Sequence, residues 1–215
     1  MISERKWKNN YSLDWTKSIL SIDLDFLGNS MSTEDGVVRK DEFKFQFIKK
    51  LVDKYRDRIV FLIDHGDICK WLAKYSTPDA FDWEIVNIDH HHDIYYGEIE
   101  RRDMMRDTNL HKGKVPEDSL ESGWVFWMSK NWNVVRVDEI LNQTSAVHRD
   151  ILKHGARFHF DLGSPLNPYE LDLFNKEFNY IFIALSPHYT STDDVDYICE
   201  YLELDRKLFN EEENQ

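Results

Sequence analysis

Only two of the 215 residues are cysteine, Cys69 and Cys199, and they stand far apart in a chain without a secretory pattern. A disulfide framework is therefore excluded, and reduced thiols in a cytoplasmic setting are the expectation. No stretch rich in Pro, Gly or Ser divides the chain, and no internal repeat is present. A single domain over 1–215 is expected, with 209–215 as a frayed tail. No run approaches about 18 apolar residues, so no membrane-spanning helix is expected. The opening MISERKWKNNYSLDW has no apolar segment, so a signal peptide is not expected either. Basic residues are in deficit, 27 Lys and Arg against 40 Asp and Glu, a net charge of −13. That disfavours nucleic acid and anionic membranes as partners. It fits a cationic substrate, or metal ions that neutralise part of the acid.

What is plentiful is core material: 41% of the residues are hydrophobic and seven are tryptophan, enough for one substantial core and too much for a disordered chain. Short runs rich in β-branched and aromatic residues recur as SILSIDLDF, RIVFLID, WEIVNID, NVVRVDEI, RFHFDL and YIFIALS. Each has the signature of a strand, and several are apolar on both parities, as in strands covered on two faces. Helical patterns lie between them. Lys40 to Arg58 sets Phe43, Phe47, Leu51 and Tyr55 on one face, and EDSLESGWVFWMSKNW, NPYELDLFNKEF and STDDVDYICEYLEL are each expected to contain a further helix. Strands alternating with helices predict an α/β domain with a mainly parallel sheet. NSMSTEDGVVRKD and residues 97–118 read as loops beyond strand ends, where open parallel sheets bind ligands.

Acids and histidines gather at the ends of three of these runs. The first holds Asp23 and Asp25, the second Asp64, His65 and Asp67, and the third Asp89, His90, His91, His92 and Asp93. Alternation along an extended chain turns Asp23 and Asp25 the same way, and likewise Asp89, His91 and Asp93. Taken singly, each motif has a bland reading: strand-end aspartates cap helices and turns, and Gly66 in DHGD would supply a positive φ. Taken together after successive strands, they favour a metal site, because so many carboxylates at one sheet edge repel one another without a cation. Carboxylate oxygen with a minority of imidazole suits Mn²⁺ better than Zn²⁺ or Fe²⁺. Two metals sharing an aspartate would absorb the charge and acidify a bridging water.

Asp89-x-His91-x-Asp93 resembles the Asp-x-His-x-Asp motif of arginases, agmatinases and related ureohydrolases. Ser21-x-Asp23-x-Asp25 is similar to their Ser-x-Asp-x-Asp motif, and His65 to the single histidine that they carry in Gly-Asp-His. The resemblance implies six ligands, Asp23, Asp25, His65, Asp89, His91 and Asp93, for two Mn²⁺ ions and a bridging hydroxide on a three-layer, doubly wound α/β fold. Two departures stand out. In ordinary arginases the Asp-x-Asp strand follows the other motifs, whereas here it comes first, and this chain is shorter. SIDLDFL, NIDHHHDI, ESGWVFWM and IALSPHYTS resemble a divergent branch, the peptide arginases, which convert arginine side chains of peptides to ornithine with release of urea. The substrate so implied is an arginine-containing peptide or a small guanidine.

Other roles stay open. Glu121 is either a carboxylate partner of the guanidinium or an exposed helix residue. His188 is either a proton shuttle or a surface-loop histidine. Trp124 and Trp127, three apart, are expected to pack rather than to stack on substrate. His90 and His92 should face away from the metals, Asp64 and Asp67 should support or cap, His111 is an outside candidate for the shuttle, and Asp161 is not expected to be a ligand. Two rival functions remain: a one-zinc amidohydrolase or deacetylase of the same superfamily, and a non-catalytic module that binds metal or peptide.

Overall fold

The computed structural model describes residues 15–28, 31–34, 37–91, 93–94, 123–141, 157–160 and 172–209. Its strands are β1 (Thr16–Asp23), β2 (Met31–Glu34), β3 (Val37–Lys40), β4 (Ile59–Leu62), β5 (Asp82–Asp89), β6 (Asn133–Leu141), β7 (Arg157–Phe160) and β8 (Tyr180–Ala184). Six of them form one sheet in the order β4-β8-β1-β5-β6-β7, with every neighbouring pair parallel. Each of the six runs read as strands contributes one. The helices are α1 (Asp25–Gly28, a single turn), α2 (Glu42–Tyr55), α3 (Asp67–Tyr75), α4 (Trp124–Asn131) and α5 (Thr192–Leu202).

Strand alternation decides which helix covers which face. Leu20, Ile22, Val86, Ile88, Ile181 and Ile183 pack with α2 and α5 on one side. Ile19, Trp83, Ile85, Val137 and Phe182 pack with α3 and α4 on the other. Helices on both faces make an α/β/α sandwich, and each fully buried Ile or Phe contributes roughly 1.5–3 kcal/mol. Two helix starts are fixed by side-chain caps. Asp41 accepts from Phe43 N at 3.1 Å and Lys44 N at 3.2 Å, and Ser191 accepts from Asp194 N at 3.2 Å. Both cysteines are buried and free. No helix among the described residues is long and apolar enough to cross a membrane.

Three local expectations are corrected. Phe43 is 45% exposed: the buried arc of α2 runs through Phe45, Phe47, Ile48, Leu51, Val52 and Tyr55, and Phe43 falls just outside it. NSMSTEDGVVRKD is not all loop, because β2 and β3 pair as an antiparallel hairpin, Met31 opposite Lys40. NPYELDLFNKEF is not helical where described. Asp172 has φ 40°, and Asn175 N and Lys176 N both turn back to its carbonyl. The carbonyls of Leu173 and Lys176 accept from the Tyr55 hydroxyl, and those of Phe174 and Lys176 from Lys54 Nζ. Tertiary donors thus take the carbonyls that a helix would have used. The loop expected over 97–118 lies outside the described residues.

Candidate metal centre

In a fully parallel sheet all strands present their carboxyl ends at one edge, and this sheet does so with acids. Asp23 is the last residue of β1 and Asp89 the last of β5. His65 follows β4 in the turn that leads to α3, where Gly66 has φ −63°, ordinary helical backbone rather than the positive φ expected. The strand does not continue to Asp25: β1 stops, Asp25 opens the α1 turn, and its amide donates to Asp23 Oδ1 at 3.0 Å. Beyond β5 the chain curls rather than staying extended. His91 N donates to Asp89 Oδ1 at 2.8 Å, and Asp93 sits in the left-handed region at φ 49°. Convergence of these groups therefore comes from turns as much as from strand parity.

His65 is the hub. Its Nδ1 lies 3.2 Å from Asp23 Oδ2, 3.2 Å from Asp89 Oδ2 and 3.0 Å from Asp93 Oδ2, and the ring is 1% exposed. Its Nε2 is hydrogen-bonded to Ser21 Oγ. One Nδ1–H can serve only one of those oxygens, and none is aligned to accept it. If Nε2 carries the proton to Ser21, a bare Nδ1 lone pair faces three carboxylates, an arrangement that a bound cation would relieve, as would a proton on the ring or on one of the acids. Burial opposes charge on the ring, but the Asp23, Asp89 and Asp93 carboxylates hold His65 well above its ordinary value. A second group forms beside the first: His91 Nδ1 is 2.8 Å from Asp25 Oδ2 and 3.8 Å from Asp89 Oδ1. In each of the sets Asp23–His65–Asp89 and Asp25–Asp89–His91, the ligand atoms lie within 4.8 Å of one another, and Asp89 belongs to both. The donor chemistry, oxygen-rich with imidazole, fits hard divalent cations.

Charge crowding appears in the proton affinities. Burial, then the Asp93 and Asp23 charges, push Asp89 up to about 7. Burial, then Asp23 and Asp89, hold Asp25 well above the carboxylate range, and burial raises Asp93 too. Burial works against the charged form of His91, but the Asp25 carboxylate overrides it and carries the ring to about 9. Burial, the neighbouring His91 and Lys44 bring His90 down to about 4.

The surroundings add Ser186, Asn87 and Glu139, which the sequence did not single out, and a second role for Trp124. Ser186, at φ 43°, donates from Oγ to Asp23 Oδ2 at 2.6 Å. Asn87 Nδ2 donates to Asp89 Oδ2 at 3.4 Å. Trp124 is buried and packs against the His65 ring, as expected of a packing residue, but its indole N–H also donates to Asp93 Oδ2. Trp127 packs edge-on against Trp132. Glu139 of β6 is fully buried on the same face, and burial, then Asp93, keep it well above the usual range. The run VVRVDEI did contain a signal: two adjacent strand acids must face opposite sides, and Asp138 meets Arg136 at 2.7 Å while Glu139 meets no base.

Of the remaining candidates, His188 is exposed in the turn that begins at Ser186, and the neighbouring Tyr189 ring lies 4.8 Å from that of His91. Asp67 pairs with Lys70 at 2.8 Å, away from the cluster, and Asp64 offers its backbone carbonyl to Asp67 N. His90 contributes its amide to Asp25 Oδ1 at 3.2 Å. Glu121, His92, His111 and Asp161 lie outside the described residues. Comparison of the chain with family models, with curated proteins and with solved structures returns no match.

Proposed function

We propose that this chain is a dinuclear manganese hydrolase of the arginase-like kind. In this reading it cleaves the guanidino group of arginine, within a peptide, to ornithine and urea. The observation that carries the reading is Asp89, shared between two ligand-competent sets at one sheet edge. Asp23, His65, Asp89 and Asp93 would hold one cation, and Asp25, Asp89 and His91 the other. Bound there, the cations would supply Lewis acidity and a water of lowered pKa. The chain's own groups do the rest. The Trp124 indole and the Asn87 amide fix the carboxylates of Asp93 and Asp89, and Ser186 fixes Asp23, so that the donor set is pre-arranged. His188 and Tyr189 are exposed beside the cluster's His91, and a peptidic substrate is proposed on the resemblance of the motifs to peptide arginases. The reaction adds one water across the guanidino carbon and breaks its bond to the side-chain nitrogen, which leaves as the ornithine amine after gaining a proton. In this reading His188, exposed in the turn that begins at Ser186, would supply that proton.

The test is metal analysis of chelator-free protein, combined with urea release from an arginine-containing peptide. Two Mn²⁺ per chain with stoichiometric urea and ornithine is expected. One zinc per chain with deacetylation instead would replace this reading by the amidohydrolase one, and metal binding without any turnover would leave a binding module.

A further inference from the structure

A second polar row lies one pair of residues beneath the carboxylates. In strand register Ser21 of β1 stands beside Asn87 of β5, and Asn87 beside Glu139 of β6. All three are fully buried, and alternation puts them on the face of Asp23 and Asp89. Ser21 is accounted for by its bond to His65. Glu139 is not: neither of its oxygens has a hydrogen-bond partner, and neither has Asn87 Oδ1 beside it. Asn87 Nδ2 meanwhile donates to Asp89 Oδ2 at 3.4 Å. Burial, then Asp93 and Asp89, oppose ionisation of Glu139, the Asn87 amide and His65 favour it less strongly, and no lysine or arginine is among these groups.

An ionised carboxylate in that position would be fully buried with neither a base nor a hydrogen-bond donor to compensate it. A neutral acid needs one acceptor, and Asn87 Oδ1 is an acceptor in want of a donor. We propose that Glu139 is a positioning residue of the centre, held as the neutral acid, whose O–H donates to Asn87 Oδ1 and thereby fixes the amide that holds Asp89. The role rests on Asp89 being a metal ligand. Without the Glu139 proton the Asn87 amide has two nearly equivalent orientations, one of which sets its oxygen against the Asp89 carboxylate. With it, only the orientation that presents Nδ2–H to Asp89 keeps both bonds.

The test compares wild type, Glu139→Gln and Glu139→Leu by Mn²⁺ titration calorimetry of the chelated, reloaded full chain. It adds infrared difference spectra of wild type against Glu139→Gln. Glutamine keeps a donor for Asn87 and leucine does not. Expected are Mn²⁺ affinity for Glu139→Gln within about threefold of wild type, a loss of roughly 10–100-fold for Glu139→Leu, and a carboxylic-acid C=O band present only in wild type. Equal losses in both variants with no such band would overturn the proposal and make Glu139 an ionised group that holds a cation itself. If either variant fails to fold, the carboxyl ¹³C shifts of glutamate-labelled wild type decide. One glutamate that stays protonated between about pH 5 and 8 supports the proposal, and titration of every glutamate below that range sinks it. A wild type that binds no Mn²⁺ fails the metal reading and the positioning role with it, while the infrared band still reports the state of Glu139 separately.

Discussion

Trp124 shows how one side chain can serve core and site together. Its ring fills the apolar layer beneath α4, while its N–H reaches Asp93. Trp124→Phe keeps most of the buried area and removes the donor, so Mn²⁺ affinity should fall by roughly 10–100-fold while the metal-free melting temperature moves little. Titration calorimetry checks this, and an unchanged affinity would show that Asp93 needs no orientation or is no ligand. Such donors were hidden from the sequence for a physical reason. Asp23, Asp25, His65, Asp89, His91 and Asp93 are legible because acids and imidazoles rarely crowd strand ends. Asn87 and Ser186, and the hydrogen-bonding roles of Ser21 and Trp124, matter only through the register of parallel strands and the approach of α4, which no spacing along the chain encodes.

At the scale of elements, the strands were legible and one helix was not. Period and β-branched content identify β1, β4, β5, β6, β7 and β8, whereas NPYELDLFNKEF reads as helical although its described part is irregular, with Leu173 and Phe178 buried in the cluster that includes α2. Helix α5 follows its local signals: Ser191 caps it, Asp193 and Asp194 sit in its first turn, and Glu203 ends it in the left-handed region at φ 57°. Ser191→Ala should lower unfolding free energy by about 1 kcal/mol, read as a smaller urea midpoint at unchanged slope. Metal stoichiometry should not change, and a lost metal would mean that the cap also positions the Ser186 turn. That turn is tied to α1 as well. A Cβ on Gly28 would lie 2.9 Å from Thr190 Cγ2, so glycine permits the two loops to touch.

At the scale of the whole molecule, the charge of −13 has a local focus whose effect runs opposite to ordinary acid denaturation. Asp89, lifted from an unperturbed 3.8 to about 7, binds its proton more tightly folded than unfolded, so stability declines as pH rises through that interval. His91, lifted from 6.5 to about 9, adds stability that is complete below 6.5 and is lost as pH rises through 9. Both act in one direction. Metal-free protein should therefore melt at falling temperature as pH is raised from about 5 to 9, and Mn²⁺ should restore most at the alkaline end, where ligands are deprotonated. Calorimetric scans with and without the ion check this, and a metal-free melting temperature that climbs with pH would show that these acids ionise without strain.

The strand order carries one more consequence, for synthesis. β8, the last strand made among the described residues, lies in the sheet between β1, which ends in Asp23, and β4, which leads to His65. A chain emerging from the ribosome has all residues of the Asp25–Asp89–His91 set, and the neighbouring strands β1 and β5 that carry them, before β8 is made. The His65 set must wait until residues 180–186 have inserted, since only they bring β4 to the sheet. The two halves of the candidate centre would thus be completed at different times, and a chain cut short before residue 180 would lack the neighbour that brings His65 to the sheet.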